Sequence, residues 1–221
     1  MKQPERFSRA RRLCAAGLCL FTLVCLFTGC VFMKPGNDKP GDGKTTGAEP
    51  DSQIVLFSLP GTASAPEGYH VFTKGGFVDP TACEDIGIEK SQMETLLAIA
   101  SYDAELVPKG VPYTGDNAKI QIKIKEKKYG DVNLASVSDA EFEEIASTLV
   151  KGFNVTDYDT VQGNGLRYIR FQHEMPGLGT FYRYATIING RMVFVYLTGK
   201  SEPSEQQLKD LEFVAMSLSA Y

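Results

Sequence analysis

Four strand-like runs in the C-terminal part of the chain, separated only by short turns, constrain the fold more than any other feature. The runs cover 158–161, 166–173, 181–188 and 192–198. Gly163-Asn164-Gly165 separates the first two, and Asn189-Gly190, typical of a type I′ hairpin, separates the last two. Parallel neighbours need long crossovers, so we expect these strands to be mostly antiparallel. The last run is almost wholly apolar, which predicts a central strand covered on both faces.

Three amphipathic helices and further strands are predicted around these runs. The helices cover about 90–100, 138–152 and 202–218. A capping box from Ser91 marks the first helix, and one from Ser138 marks the second. The strands cover 54–59, 67–74, 102–107 and 118–126. The first two form an opening pair, and in the last one isoleucine alternates with lysine and glutamine. Helices with one apolar face must cover a sheet. The predicted fold class is therefore α+β, a mostly antiparallel sheet with helices on both faces, in one domain over 54–221.

The N-terminal segment is typical of a secretory signal. Residues 2–12 are basic, and an uncharged apolar run follows from Leu13 to Phe27. A helix of that length rises about 22 Å, which is less than the ~30 Å hydrocarbon core of a bilayer. A permanent spanning helix is therefore the weaker interpretation. Arg11-Arg12 matches the flanking pattern of twin-arginine export poorly.

Phe27-Thr28-Gly29-Cys30 resembles the lipobox of bacterial lipoproteins, although Phe27 stands where leucine is usual. The resemblance implies that residues 1–29 are a signal peptide and that Cys30 receives a diacylglyceryl group. The protein would then lie at the extracytoplasmic face of the cell membrane, in a bacterium without a second membrane. An ordinary cleaved signal with an incidental cysteine is the alternative. After Cys30, the Pro- and Gly-rich segment to residue 53 predicts a flexible tether.

Charge and cysteine content exclude several partners and sites. The 221 residues carry a net charge of −4, and without residues 1–29 there are 18 basic against 26 acidic residues, so no nucleic-acid partner is expected. Cleavage would remove Cys14, Cys19 and Cys25, and Cys83 would be the one free thiol. An intramolecular disulfide and a cysteine zinc site are then excluded. We expect Cys83 to be a small buried hydrophobe.

The order of elements over about 54–221 resembles the Mog1/PsbP-like fold, an αβα sandwich. The resemblance lies in the paired opening strands, the helix ending in SYDAELV, the isoleucine and lysine strand, the mid-chain helix and the hairpin before a C-terminal helix that ends in MSLSAY. It implies a non-enzymatic binding or assembly module. It carries over neither a partner nor any partner-contacting residue.

The sequence offers no constellation for catalysis, a metal or a cofactor. His70 and His173 are far apart and match no metal-binding spacing. No serine stands in a nucleophile-elbow motif, and no phosphate-binding glycine loop is present. The acidic cluster of Asp139, Glu141, Glu143 and Glu144 lies in the first turns of a predicted helix, where it favours the helix dipole; a weak cation site is the alternative. We expect no catalytic residue, no metal site and no cofactor.

Two sets of surface residues are candidate binding sites. A lysine stripe on the 118–126 strand and just after it comprises Lys123, Lys125, Lys127 and Lys128. It would bind an anionic polymer or lipid headgroups, or it would only protect a sheet edge from aggregation. A tyrosine and arginine set on neighbouring strands comprises Arg167, Tyr168, Arg170, Tyr182, Arg183 and Tyr184. It would form an interface with a partner, or it would only cover the sheet beneath helices.

These observations predict a lipid-anchored, extracytoplasmic, non-catalytic binding or assembly module of the bacterial cell envelope. Its partners would be the membrane, through diacylglyceryl Cys30, and an envelope protein or anionic polymer. The alternatives are a hydrolase or metal-dependent enzyme that acts on envelope components, and a purely structural lipoprotein.

Overall fold

The computed structural model describes residues 53–220. The predicted signal peptide at 1–29, the lipidation site at Cys30 and the tether as far as residue 52 lie outside the described residues, and so does Tyr221. Within the described part of the chain, no helix has both the length and the apolar character needed to cross a membrane.

A seven-stranded antiparallel sheet is the centre of the fold. In spatial order it consists of β3 (Tyr69–Thr73), β4 (Ala104–Pro108), β5 (Lys119–Lys127), β9 (Arg191–Thr198), β8 (Gly179–Ile188), β7 (Leu166–Met175) and β6 (Asp159–Gly163). A second, three-stranded antiparallel sheet consists of β1 (Gln53–Val55), β2 (Gly61–Ser64) and β10 (Ser219–Ala220). The helices are α1 (Pro80–Asp85), α2 (Lys90–Ile99), α3 (Asp139–Lys151) and α4 (Glu205–Met216). A short 3-10 turn covers Leu134–Ser136.

Both faces of the large sheet are covered, which confirms the predicted α+β class. On one face, Leu211 and Val214 of α4 pack on the isoleucines of β5 and on the apolar residues of β9. On the other face, Phe142 and Ala146 of α3 pack on β7, β8 and β9, and α1 and α2 pack on β3 and β4. We call these the α4 face and the α3 face. Strand β9 lies between β5 and β8 and is buried over most of its length, as its apolar run predicts.

The predicted turns and one of the predicted caps are present. Asn189 and Gly190 have φ of 48° and 73°, and Asn164 and Gly165 have φ of 51° and 73°, as expected for type I′ hairpins. The hydroxyl of Ser138 accepts a hydrogen bond from the backbone N–H of Glu141, at 3.3 Å, and the Glu141 carboxylate accepts one from the backbone N–H of Ser138, at 3.0 Å. This is the capping box predicted for α3.

Three local expectations are wrong. The runs at 54–59 and 67–74 do not pair with each other, because the chain turns back within the first: the N–H of Leu56 donates to the carbonyl of Gly61, and β1 pairs with β2, while β3 pairs with β4. Helix α2 begins at Lys90, as predicted, but it is capped by Glu89 and Gln92 rather than from Ser91. Helix α1 was not predicted; it has six residues and depends on Asp79, which accepts from the N–H of Thr81, and on Pro80 at its first position.

Candidate functional site

The predicted tyrosine and arginine set is divided between the two faces of the sheet. The α4 face carries Tyr168, Arg170, Tyr182 and Tyr184. The α3 face carries Arg167 and Arg183. Successive side chains of a strand point to opposite sides, so adjacent members of the set cannot share one surface. The set therefore contributes to two separate places rather than to a single patch.

On the α4 face, a cleft of about 630 Å³ lies between helix α4 and strands β6, β7 and β8. Its apolar lining includes Leu211 and Tyr184, which are buried, and Leu208 and Tyr182, which are partly exposed. Its charged lining consists of Asp157, Asp159, Glu205, Glu212, Arg170, Lys209 and Arg183, and the guanidinium of Arg183 lies among the aromatic rings of the α3 face. Acids outnumber bases in this lining, so the cleft is complementary to a ligand that carries positive charge.

Arg170 is held at the cleft by its neighbours on the sheet. Its Nη2 and Nε donate to Oδ2 of Asp159, at 2.7 Å and 3.2 Å. Asp159 and Tyr184 lie directly opposite Arg170 on the two adjacent strands. Burial raises the pKa of Tyr184, and Arg170 opposes that shift. The phenol is therefore uncharged at neutral pH, and the cleft offers one paired cation beside aromatic and aliphatic surface.

Tyr168 is a structural residue of the α4 face. It is fully buried, and its hydroxyl donates to the carbonyl of Ala215, at 2.6 Å. Its ring meets Tyr184 edge to face, with ring centres 6.2 Å apart. The hydrogen bond ties the C-terminal part of α4 to the sheet.

On the α3 face, the arginine side chains lie over aromatic rings. The guanidinium carbon of Arg167 is 3.6 Å from the ring centre of Phe142, and its Nη1 pairs with Oδ1 of Asp139 at 2.9 Å. The guanidinium of Arg183 lies among four rings, and burial lowers its pKa to about 10. Its Nε donates to Nδ1 of His173, at 3.3 Å.

The predicted lysine stripe lies on the part of β5 that extends beyond β4. Strand β5 lies between β4 and β9, but β4 pairs only with Ile120, Gln121 and Ile122, so from Lys123 onward β5 is paired on one side only. The alternative interpretation, protection of a sheet edge, fits this position. Lys123 donates to the hydroxyl of Ser101, at 2.9 Å, and Lys125 lies over the ring of Phe194. The register between β5 and β9 shifts between Ile124 and Lys127. Lys127 forms a salt bridge with Asp131. The stripe thus consists of Lys123 and Lys125 beside Arg183, with Lys127 and Lys128 at the end of the strand.

A buried carboxylate joins β4 to β5 on the same face. Glu105 is 1% exposed and accepts hydrogen bonds from the hydroxyls of Tyr102 and Tyr113, at 3.0 Å and 2.9 Å. It also accepts one from Nε2 of Gln121, at 2.6 Å. Burial, more than the nearby carboxylate, raises the pKa of both tyrosines. All these donors are satisfied internally, which is typical of a structural network.

His70 forms the contact that most resembles part of a catalytic site. Its Nε2 lies 2.7 Å from Oδ2 of Asp85, which also accepts from the N–H of Gly110, at 2.6 Å. The hydrogen bond with His70, followed by that with Gly110, lowers the pKa of Asp85. A hydrolase with a catalytic triad would need a hydroxyl or thiol group that forms a hydrogen bond with the other ring nitrogen of His70. Within residues 53–220, the ring of His70 forms a hydrogen bond only with Asp85. The pair joins β3, α1 and the loop after β4.

The remaining candidate residues have structural surroundings. Cys83 is fully buried among apolar side chains of α1 and α2, and burial raises the pKa of its thiol. Of the acidic cluster, Asp139 pairs with Arg167, Glu141 caps α3, and Glu143 accepts from Tyr158. Among the described residues, no three His, Cys, Asp or Glu side chains are grouped so that they could hold a metal ion.

No family model matches the chain, and no curated protein matches it. Among solved structures, the chain is similar to the solution structure of cyanobacterial PsbP (CyanoP) from Synechocystis sp. PCC 6803. The TM-score is 0.43 and the sequence identity is 11%, over 81% of this chain and 98% of that chain. The fold described above rests on the sheet order and helix positions of this chain itself.

The acidic side of the cleft was not predicted from the sequence. Asp159 could have been found by counting residues back from the Asn164-Gly165 turn, since that register places it opposite Arg170. The contribution of Glu205 and Glu212 could not have been found in this way, because it depends on where α4 crosses the sheet.

Proposed function

We propose that this protein is a lipid-anchored, extracytoplasmic, non-catalytic binding module of the bacterial cell envelope, and that it holds a protein partner in the α4-face cleft. Diacylglyceryl Cys30 would attach it to the membrane. The predicted signal at 1–29 and the lipobox-like residues before Cys30 support this location. The tether to residue 53 would let the domain reach partners near the bilayer.

One observation carries the binding role: the cleft of about 630 Å³ combines apolar surface with an excess of acidic side chains. Tyrosine and arginine are the residue types that most often anchor protein interfaces, and here Tyr182 and Arg170 line the same cleft. The excess of carboxylates favours a partner segment that carries lysine or arginine. We propose a binding rather than a hydrolytic role because the described contacts place neither a hydroxyl nor a thiol against His70.

Photo-cross-linking in intact cells tests this proposal. A photoreactive amino acid at Lys209, an exposed residue of the cleft lining, should form a cross-link to another protein. The same amino acid at Phe213, which is on the same helix and 49% exposed but outside the lining, should not. Glu212→Lys should weaken the cross-link from position 209, because it reverses one charge of the acidic lining.

Glu67→Lys provides the matched control, since it reverses an exposed charge away from the cleft. It should leave the cross-link unchanged. Equal cross-linking from positions 209 and 213, or no effect of Glu212→Lys, would contradict a cleft-specific partner.

A further inference from the structure

The guanidinium of Arg183 lies among aromatic rings on the α3 face, although residue 183 also belongs to the lining of the α4-face cleft. The residue is 9% exposed. Its guanidinium carbon lies 4.7 Å from the ring centre of Tyr196, 4.9 Å from that of Phe153, 5.1 Å from that of Phe181 and 5.7 Å from that of Phe194. Aromatic faces attract a cation, but they accept hydrogen bonds only weakly.

No carboxylate neutralises this charge within residues 53–220. The neighbouring Arg167 and Arg170 each pair with an aspartate, at 2.9 Å and 2.7 Å, whereas Arg183 forms no ion pair there. Only its Nε has an acceptor, which is Nδ1 of His173, although a guanidinium has five N–H donors. The only buried, unpartnered side-chain nitrogen or oxygen among the described residues is Nε of Arg167. The terminal nitrogens of Arg183 therefore keep some contact with solvent, although the residue is mostly buried.

Two lysines add positive charge beside Arg183. Nζ of Lys125 lies 5.2 Å from the ring centre of Phe194, one of the rings around Arg183, and Lys123 lies directly opposite Phe194 on β5. Burial lowers the pKa of Lys125, and repulsion from Lys123 and Arg183 lowers it further. Repulsion among these like charges raises the energy of the free protein, and a bound anion would relieve that cost.

We infer that Arg183, Lys125 and Lys123 form a binding site for a phosphate group. The guanidinium fork can donate two parallel hydrogen bonds to phosphate oxygens, and the ammonium groups supply further charge. A phosphate suits these cations better than a carboxylate, because its oxygens can accept from the guanidinium fork and from an ammonium group at the same time. The group would belong either to a lipid headgroup or to a soluble phosphate compound. The Arg183 guanidinium and the Lys125 ammonium lie at rings of the α3 face, and the site does not depend on the function proposed for the α4-face cleft.

Thermal unfolding of the full chain in phospholipid vesicles tests this site and separates the two sources. A ligand that binds only the native state raises the unfolding midpoint. In the first arm, inorganic pyrophosphate is added to protein in phosphatidylcholine vesicles, with sodium chloride at matched ionic strength as the reference. In the second arm, phosphatidylglycerol is included in the vesicles and no pyrophosphate is added. A rise in either arm is expected, and the arm in which it occurs identifies the source.

Lys125→Gln is the main variant, because Lys125 is exposed and its replacement should not unfold the protein. It should raise the phosphate concentration needed for a given midpoint shift by about tenfold, as for the loss of one charged hydrogen bond. Lys109→Gln removes one exposed charge elsewhere and should leave the shift unchanged. Arg183→Lys keeps the charge but removes the guanidinium fork, and it should also reduce the shift of the unfolding midpoint.

A midpoint that responds in neither arm would overturn the site. A wild-type response that Lys125→Gln leaves intact would overturn it as well. Since Lys125 lies outside the aromatic core, this comparison decides the question even if Arg183→Lys fails to fold.

Discussion

Three arginines on two neighbouring strands show how the surroundings of a residue decide its role. Arg167 and Arg170 have aspartate partners at 2.9 Å and 2.7 Å and act as structural ion pairs. Arg183 has a histidine and four aromatic rings instead. Residue type alone groups the three together, but their surroundings assign only Arg183 to the inferred phosphate site.

The contact between His173 and Arg183 predicts a pH dependence of stability. Burial, followed by repulsion from Arg183, lowers the pKa of His173 below its usual value near 6.5. Below that pH the unfolded chain binds more protons than the folded chain, so the free energy of unfolding should fall as the pH falls from about 6.5 toward the folded pKa. Urea unfolding followed by circular dichroism should show a lower midpoint at about pH 5.5 than at about pH 7.5.

His173→Gln provides the control, because glutamine can still accept from Arg183 but does not titrate. The variant should lose less stability between the two pH values than the wild type does. Equal losses would assign the pH dependence to other groups.

At the scale of elements, the hairpin of β8 and β9 depends on its turn and on the loop that crosses it. Gly190 has a φ of 73°, and the loop after β5 binds its backbone: the N–H groups of Lys128 and Tyr129 donate to the Gly190 carbonyl, both at 3.1 Å. A Cβ at position 190 would lie 1.8 Å from the carbonyl oxygen of Gly130. That atom is backbone and cannot move aside cheaply.

Gly190→Ala should therefore lower the free energy of unfolding by more than about 2 kcal/mol, because a steric clash adds to the cost of a positive φ. Gly87→Ala, where φ is 69° and nothing lies within 4 Å of the added Cβ, should cost only about 1 kcal/mol. Urea unfolding of both variants measures the difference. If Gly190→Ala lowers the free energy of unfolding no more than Gly87→Ala does, the loop that crosses the hairpin can move to accommodate the added methyl group.

The helices and strands were largely predictable from the sequence, whereas the pairing between strands was predictable only in part. Alternation identifies β5, the Asn189-Gly190 turn identifies the β8–β9 hairpin, and Ser138 identifies the start of α3, because these signals are local. The third strand of the small sheet was not predictable, since β10 reaches β2 from a distant part of the chain. Alternation alone does separate Arg183 from Tyr182 and Tyr184. It cannot show that the side chain of Arg183 lacks an acidic partner.

At the scale of the whole molecule, the described domain presents different chemistry on its two faces. The α4 face holds an acidic, partly apolar cleft, and the α3 face holds the cations of the inferred phosphate site. A module with this division could bind a protein on one side and a phosphate group on the other. Such a role at the cell envelope requires that the chain be exported and held at the membrane, and in our proposal this depends on Cys30.

Mass spectrometry of the N-terminus of the protein purified from its native membrane tests this requirement most directly. We expect an N-terminal Cys30 that carries a diacylglyceryl group, with residues 1–29 absent. Cys30→Ala should leave the protein without this modification and release it from the membrane fraction, whereas Cys25→Ala, a matched change within the predicted signal, should leave it anchored. An unmodified Cys30, or residues 1–29 still attached, would contradict the account.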